Sequence, residues 1–175
     1  MQSIERQAQK KGVKLIHRGR CQFCGSDTQN GVLECFEIFN RLASAFEDDN
    51  GPSTFIYADA HCLQHSEVHG TWNNHFHLAR QYLILDKSVE WNYSKTPFLS
   101  KIMDEYKRSH PEAVIPALPV LERGRFTVTD LAGLEGEELA SSLRKWALGV
   151  YWSYERYHPM AEAVGDLYLN KYERR

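Results

Sequence analysis

The run Arg20-Cys21-Gln22-Phe23-Cys24-Gly25 places two cysteines three positions apart and follows them with a glycine. This C-x-x-C-G arrangement is the turn that points two thiolates at one zinc ion. The glycine can adopt a positive φ, so the chain turns back and brings N–H groups near the sulfur atoms. Cys21 and Cys24 are therefore predicted to form half of a metal site.

A redox dithiol and an inert turn are the alternatives for this pair. A thioredoxin-like motif follows a hydrophobic strand and opens a helix. Here residues 25–31 read Gly-Ser-Asp-Thr-Gln-Asn-Gly, which is a polar, turn-rich loop. Metal binding, with zinc as the expected ion, is favoured over redox chemistry.

No motif fixes the ligands that complete the site. The chain lacks a second C-x-x-C, an H-x-E paired with P-C-x-x-C, and a His-Glu-x-x-His. The remaining candidates are Cys35, Cys62 and eight histidines. Five of the histidines crowd a stretch of seventeen residues: His61, His65, His69, His75 and His77.

The composition indicates a single domain, and the net charge does not identify a binding partner. With 175 residues, of which 42% are hydrophobic, the chain can build one ordinary core. A net charge of −2 gives no overall attraction to nucleic acid or an anionic membrane, so neither partner is expected. The basic run over residues 6–20 is interpreted as a solvated arm.

Localisation is inferred from the N-terminus and the cysteines. Charges interrupt the first twenty residues, so no signal peptide is recognised, and no segment approaches the ~20 apolar residues that a membrane span needs. A cytoplasmic protein is expected, in which four cysteines are thiols or metal ligands. The oligomeric state stays open.

Apolar periodicity predicts a mostly α, single-domain helical bundle with an N-terminal zinc-knuckle-like loop. Proline and glycine positions divide the chain, and they also suggest a short extended piece at 126–128 and a helix break at Pro159. The predicted helices cover 32–48, 57–65, 72–85, 98–107 and 137–158, with a terminal helix beyond. The predicted divisions are a basic arm and metal knuckle (1–31), a helical region (32–108), an ordered crossover (109–136) and C-terminal helices (137–175).

The helical pattern leaves the role of several candidate ligands open. Cys35 begins an apolar stripe and is equally suited to be a core residue or a third thiolate. His61 and His65 lie four apart and can share a metal, or they can be one core and one exposed histidine. His77 lies at the edge of an apolar stripe, where it can ligate, act as a base or bond a carbonyl. His158 falls on an inward stripe.

Several segments together resemble an uncharacterised bacterial family, domain of unknown function number 5946. The resemblance implies metal or active-site roles at six matching positions, and it ranks His65 and His77 above their neighbours. The family pattern has a tyrosine in place of His61 and a histidine in place of Thr54. The segments are 21–25, 35–36 with Phe39, 59–65, 77–78, 127–131 and 146–158, and the six positions are Cys21, Cys24, Cys35, His65, His77 and His158.

Two functions fit these observations. In the favoured one, a structural zinc staples the N-terminal loop to the helices, and the protein binds an unknown partner or small molecule, for which an aromatic helix (Trp146, Tyr151, Trp152, Tyr154, Tyr157) offers both faces. In the alternative, His65, His77 and His158 hold an open metal site for hydrolytic or transfer chemistry. The predicted metal ligands are Cys21, Cys24, Cys35, His65 and His77.

Overall fold

A computed structural model describes residues 4–46 and 51–173. Within these ranges the chain is a helical single domain without a β-strand, which confirms the predicted fold class. None of the described helices combines the length and apolar character needed to cross a bilayer. The helices are α1 (Ile4–Lys11), α2 (Gly31–Ala43), α3 (Pro52–Gln64), α4 (Ser66–His69), α5 (Thr71–Gln81), α6 (Thr96–Ser109), α7 (Gly136–Ser153) and α8 (His158–Tyr168).

The core forms around α3, which packs on α7 along one side and on α5 along another, while α8 packs on α5 and α6. The apolar stripe of α7 supplies Leu139, Leu143, Trp146 and Val150, spaced one helical turn apart, and all four are buried. This arrangement places the end of α3, where His65 lies, deep inside the domain.

One predicted helix ends earlier than expected. The predicted 137–158 helix ends at Ser153, because Tyr154 leaves the helical conformation (φ −97, ψ 16) and a 3₁₀ turn follows. Pro159 therefore does not break that helix but lies in the first turn of α8, where its missing N–H costs nothing. The predicted 72–85 helix is confirmed, as an α-helix to Gln81 that continues as a π-helix over Tyr82–Asp86.

The extended piece predicted at 126–128 is wrong for Val128, which begins a 3₁₀ helix, Val128–Leu131. The side chains of Thr127 and Asp130 form a reciprocal capping box, and this local hydrogen bonding stabilises a helical turn there. The predicted end of the 32–48 helix lies outside the described residues, and the described part of that helix ends at Ala43.

The basic N-terminal segment is not entirely a solvated arm. Residues 4–11 form α1, which packs on α4 and buries Ile4 and Ala8. Between α1 and α2 the chain forms a loop that contains the C-x-x-C-G motif. A short parallel bridge between Gly19 and Asn30 closes this loop at its base.

Candidate metal centre

The C-x-x-C-G motif forms a tight turn that buries both sulfur atoms. Gly25 has φ +73, and its N–H donates to the Cys21 carbonyl at 2.8 Å. The Cys21 N–H donates in turn to the Ser26 carbonyl at 3.1 Å. The left-handed conformation at position 25 is the one that the glycine was predicted to supply. Both cysteines consequently face the interior, with exposed fractions of 2% and 5%.

The third cysteine comes from the start of α2. Cys35 lies in the second turn of this helix and is fully buried. The carboxylate of Glu34 accepts hydrogen bonds from the N–H groups of Gln29 and Asn30, which ties the entering loop to the helix. Gly31 has φ +60, and a Cβ there would lie 2.1 Å from the Ile16 carbonyl oxygen, so only glycine fits.

His65 follows the last residue of α3 and is fully buried. Its Nδ1 lies 2.7 Å from the carbonyl oxygen of His61, one helical turn earlier. A carbonyl only accepts, so Nδ1 carries the proton and Nε2 presents a lone pair. Such a bond to the second ring nitrogen is typical of metal-binding histidines, because it fixes the tautomer and the ring orientation.

These four side chains converge. The Nε2 atom of His65 lies 3.5 Å from Cys21 Sγ and 3.4 Å from Cys35 Sγ, and Cys24 Sγ lies 3.7 Å from Cys35 Sγ. All four possible ligand atoms lie within 4.8 Å of one another. This buried Cys₃His group could hold a metal ion.

The surroundings of the group are mostly apolar. The rings of Phe23 and Phe36 pack edge-on against the His65 imidazole, with centroid distances of 5.8 and 5.2 Å. The Ser26 hydroxyl, 3.2 Å from Cys24 Sγ, can donate to a thiolate. All four ligand residues are at most 5% exposed, so the group is closed to bulk water.

The four side chains of the group shift one another's pKa values. Hydrogen bonds from Cys24 and Cys35 lower the pKa of Cys21. Hydrogen bonds with Cys21 and then Cys24, followed by burial, raise the pKa of Cys35, because a second negative charge there would face the first. Burial alone would lower the pKa of His65, but the neighbouring sulfur groups, Cys24 first, raise it to about 10. Without a cation among them, the three sulfur atoms therefore do not all carry a negative charge at once.

His77, a predicted metal ligand, lies outside this group. Its Nδ1 lies 2.7 Å from Oδ1 of Asp59, a fully buried carboxylate that also accepts from Arg80. Among the residues that the structure describes, the Cys₃His set is the group brought within ligand distance, and it excludes His77.

The histidine-rich open site is not assembled either. The Nε2 of His158 lies 2.9 Å from the Tyr151 carbonyl oxygen, and its ring stacks on that tyrosine at 4.0 Å. His65, His77 and His158 thus take part in three separate sets of contacts. His61 stacks between Phe39 and His65, each at a centroid distance of 3.9 Å, and acts on His65 through its backbone carbonyl.

Arg123 supports the loop and helix end that carry the Cys₃His group, and nothing in the sequence pointed to it. This side chain is 2% exposed and donates at 2.8 Å to the carbonyls of Phe23, inside the knuckle, and Gln64, at the end of α3. It also donates to the Leu118 carbonyl and pairs with Glu67. A single arginine in a proline-rich crossover carries no spacing signal that would have identified it.

Comparisons with known proteins give a family but no activity. No curated protein and no solved structure matches the chain. The model of one family of unknown function matches residues 19–155. This range includes the whole Cys₃His group and ends three residues before His158. Because the match covers well over half of its length, the chain belongs to the family of unknown function DUF5946.

Proposed function

We propose that this chain is a zinc protein in which Cys21, Cys24, Cys35 and His65 hold one structural Zn²⁺. The observation that carries the proposal is the spacing of the ligand atoms. With Zn–S bonds of about 2.3 Å and Zn–N bonds of about 2.05 Å, a tetrahedral site has edges of about 3.8 Å between sulfurs and about 3.6 Å between sulfur and nitrogen. The separations of 3.7 Å and of 3.4–3.5 Å agree with these edges.

The chemistry of the donors supports a structural role for the metal. Four protein ligands complete a tetrahedral zinc sphere and leave no position for a reactive water. The ion joins the N-terminal loop, the start of α2 and the end of α3. It therefore cross-links segments that are far apart in sequence.

We further propose that the domain binds a small molecule. We also propose that the protein is cytoplasmic, because cysteines stay reduced in that compartment. The predicted aromatic helix is a poor candidate surface, because Trp146, Tyr151 and Tyr154 are buried in the core and only Trp152 of its tryptophans is exposed. A cavity of about 510 Å³ between α5 and α6 is a better one, since it combines apolar and charged groups. Its lining includes Trp72, Phe76, His77, Met103, Asp104 and Lys107.

Metal analysis by mass spectrometry on untagged protein purified without chelator tests the zinc proposal. We expect about one equivalent of zinc per chain and its loss in Cys24→Ser. Cys62→Ser is the matched control, because Cys62 is the one cysteine outside the group and its variant should keep the zinc. Full zinc in the variant with serine at both 21 and 24 would refute the proposal.

A further inference from the structure

A second cavity, the basic cavity, lies where α1 and α4 meet the start of α5. Its volume is about 530 Å³. Within the described residues its lining has three basic side chains, two amides and no carboxylate. Such a lining attracts an anion, since no negative group offsets the positive ones. The residues that line the basic cavity are Gln7, Lys10, Lys11, Val68, His69 and Asn73.

The two lysines of the basic cavity, Lys10 and Lys11, are the last residues of α1. This helix packs on α4, and Gly70 joins α4 to α5. Gly70 has φ +92, and a Cβ there would lie 2.8 Å from Lys11 Nζ. The glycine therefore leaves room for the ammonium group against the backbone. Both lysines are exposed, so burial does not weaken their charges.

His69 brings a polar atom without a partner to the same cavity. Its Nε2 is buried and makes no hydrogen bond to the residues that the structure describes. A buried ring nitrogen without a partner costs free energy, which a ligand can recover by bonding to it. A phosphate group can do so with either histidine tautomer, because it has oxygens that accept and, when singly protonated, a hydroxyl that donates.

The basic cavity adjoins the cavity of about 510 Å³ between α5 and α6, the aromatic cavity. Asn73 lines both of them. His69, which lines the basic cavity, also meets His77, which lines the aromatic cavity: the two rings pack edge-on with a centroid distance of 6.1 Å. A single small molecule can therefore extend from one cavity into the other.

The aromatic cavity suits the apolar part of such a molecule. Trp72, Phe76 and Met103 line it and offer rings and a thioether for packing. Asp104 lines it as well and would repel an anion placed there. The Lys107 ammonium lies over the Trp72 ring, 5.3 Å from its centroid, and is engaged with that aromatic face. The negative end of a ligand is therefore better placed in the basic cavity.

We propose that the two cavities together bind one phosphate monoester with an apolar or aromatic body. The phosphate group lies among Lys10, Lys11 and His69, and the body packs against Trp72 and Phe76. Two ammonium groups balance a phosphate dianion, whereas a carboxylate would neutralise only one of them. This ligand class rests on the proposed small-molecule function of the aromatic cavity and specifies it.

Isothermal titration calorimetry of the full chain with three probes tests the ligand class. The probes are 1-naphthyl phosphate, 1-naphthol, which lacks the anion, and inorganic phosphate, which lacks the apolar body. We expect 1-naphthyl phosphate to bind about tenfold more tightly than either of the others, because it alone fills both cavities and its two parts are linked.

The three probes separate this ligand class from the small-molecule function on which it rests. If 1-naphthol bound as tightly as 1-naphthyl phosphate, the aromatic cavity would hold a small molecule, but the ligand would not be a phosphate monoester. If inorganic phosphate bound as tightly, the two cavities would not act together. If none of the three bound at millimolar concentration, the ligand class and the small-molecule function would both be wrong.

The basic cavity is tested with a variant that carries both Lys10→Met and Lys11→Met. Methionine keeps an unbranched side chain and removes the charge. We expect the variant to bind 1-naphthyl phosphate about tenfold less tightly than wild type, and 1-naphthol equally well. Lys14→Met is the matched control, because Lys14 is exposed and lines neither cavity. Unchanged binding of 1-naphthyl phosphate by the double variant, or an equal loss in the control, would overturn the role of the two lysines.

The aromatic cavity is tested with Ser100→Trp. Ser100 is an exposed residue of α6 that lines this cavity, so an indole there should fill it without disturbing the core. We expect most of the affinity for 1-naphthol and 1-naphthyl phosphate to be lost at an unchanged melting temperature. Lys101→Trp, one position further and outside the lining, should bind both probes as wild type does. Unchanged binding of 1-naphthyl phosphate by Ser100→Trp would show that its apolar body lies elsewhere and would overturn the two-cavity site.

Discussion

The Nδ1 atom of His65 lies 2.7 Å from the carbonyl oxygen of His61, so the backbone of α3 itself selects the tautomer that aims Nε2 at three sulfur atoms. The His61 side chain is not needed for this selection. Its own Nε2 is buried without a hydrogen-bond partner among the described residues, and burial lowers its pKa well below the ordinary value. Substitution of His65 and substitution of His61 should therefore have different effects on zinc binding.

His65→Ala should abolish zinc binding, because it removes one of four ligands. His61→Phe should keep the zinc and change the free energy of unfolding by no more than about 1 kcal/mol, because an apolar ring replaces an unsatisfied polar one. Metal analysis and urea unfolding measure both effects, with His110→Ala as a surface control. If His61→Phe lost its zinc while His65→Ala kept it, the assignment of His65 would be wrong.

Chelator should lower the melting temperature of the wild-type protein sharply, because the binding energy of a structural metal is part of the folding energy. His158→Ala should keep full zinc, since His158 contacts Tyr151 and not the Cys₃His group. Calorimetry with and without chelator measures the melting temperature, and metal analysis measures the zinc content of both proteins. A melting temperature that does not respond to chelator in zinc-loaded protein would exclude a structural role for the ion.

Arg123→Ala should lower the free energy of unfolding by about 3 kcal/mol, because it leaves the carbonyls of Phe23, Gln64 and Leu118 without this donor. The variant should also lose zinc to a chelator faster, because Arg123 bonds the Phe23 carbonyl inside the knuckle. Arg156→Ala is the control: its contact with Glu122 is 3.7 Å long and more than half exposed, so a change within about 0.5 kcal/mol is expected. Equal effects of the two substitutions would contradict this account of Arg123.

Asp59→Asn should lower the free energy of unfolding by about 3–5 kcal/mol near neutral pH, because Arg80 is left buried without its counter-charge. The folded pKa of Asp59 is depressed, so its contribution is present above the unfolded pKa of about 3.9 and lost as pH falls through the folded value.

The difference between wild type and Asp59→Asn should thus be constant above pH ~5 and shrink in more acidic solution. Urea unfolding across this range measures it, and comparing the two proteins cancels the loss of metal that both suffer in acid. Addition of Arg80→Met to Asp59→Asn should recover part of the loss. A difference that grows on acidification would have the wrong sign for an ion pair.

The sequence predicted local features well. The C-x-x-C-G turn depends on neighbouring residues alone, so its geometry could be inferred before the fold. Helix positions followed from apolar spacing, and the main errors came where a local hydrogen-bond pattern ended a helix, as at Tyr154, or capped a turn, as at Thr127.

Ligand choice was harder to predict because it depends on how helices pack. His65 and His77 have equal standing in the sequence, since each lies in a histidine-rich helical stretch. The packing of α3 against α5 brings His77 to Asp59, while the end of α3 brings His65 to the knuckle. Arg123 meets Phe23 across 100 positions of sequence, and no periodicity encodes such a contact.

The order of the ligands along the chain has a consequence for biosynthesis. The three cysteines lie within residues 21–35, and His65 follows Cys35 by 30 positions. The three cysteines of a nascent chain therefore leave the ribosome before His65 does. If the group holds the proposed zinc, the ion would meet the three cysteines first, and His65 at the end of α3 would complete the site. The availability of zinc during translation would decide whether the N-terminal loop is anchored when the helices assemble.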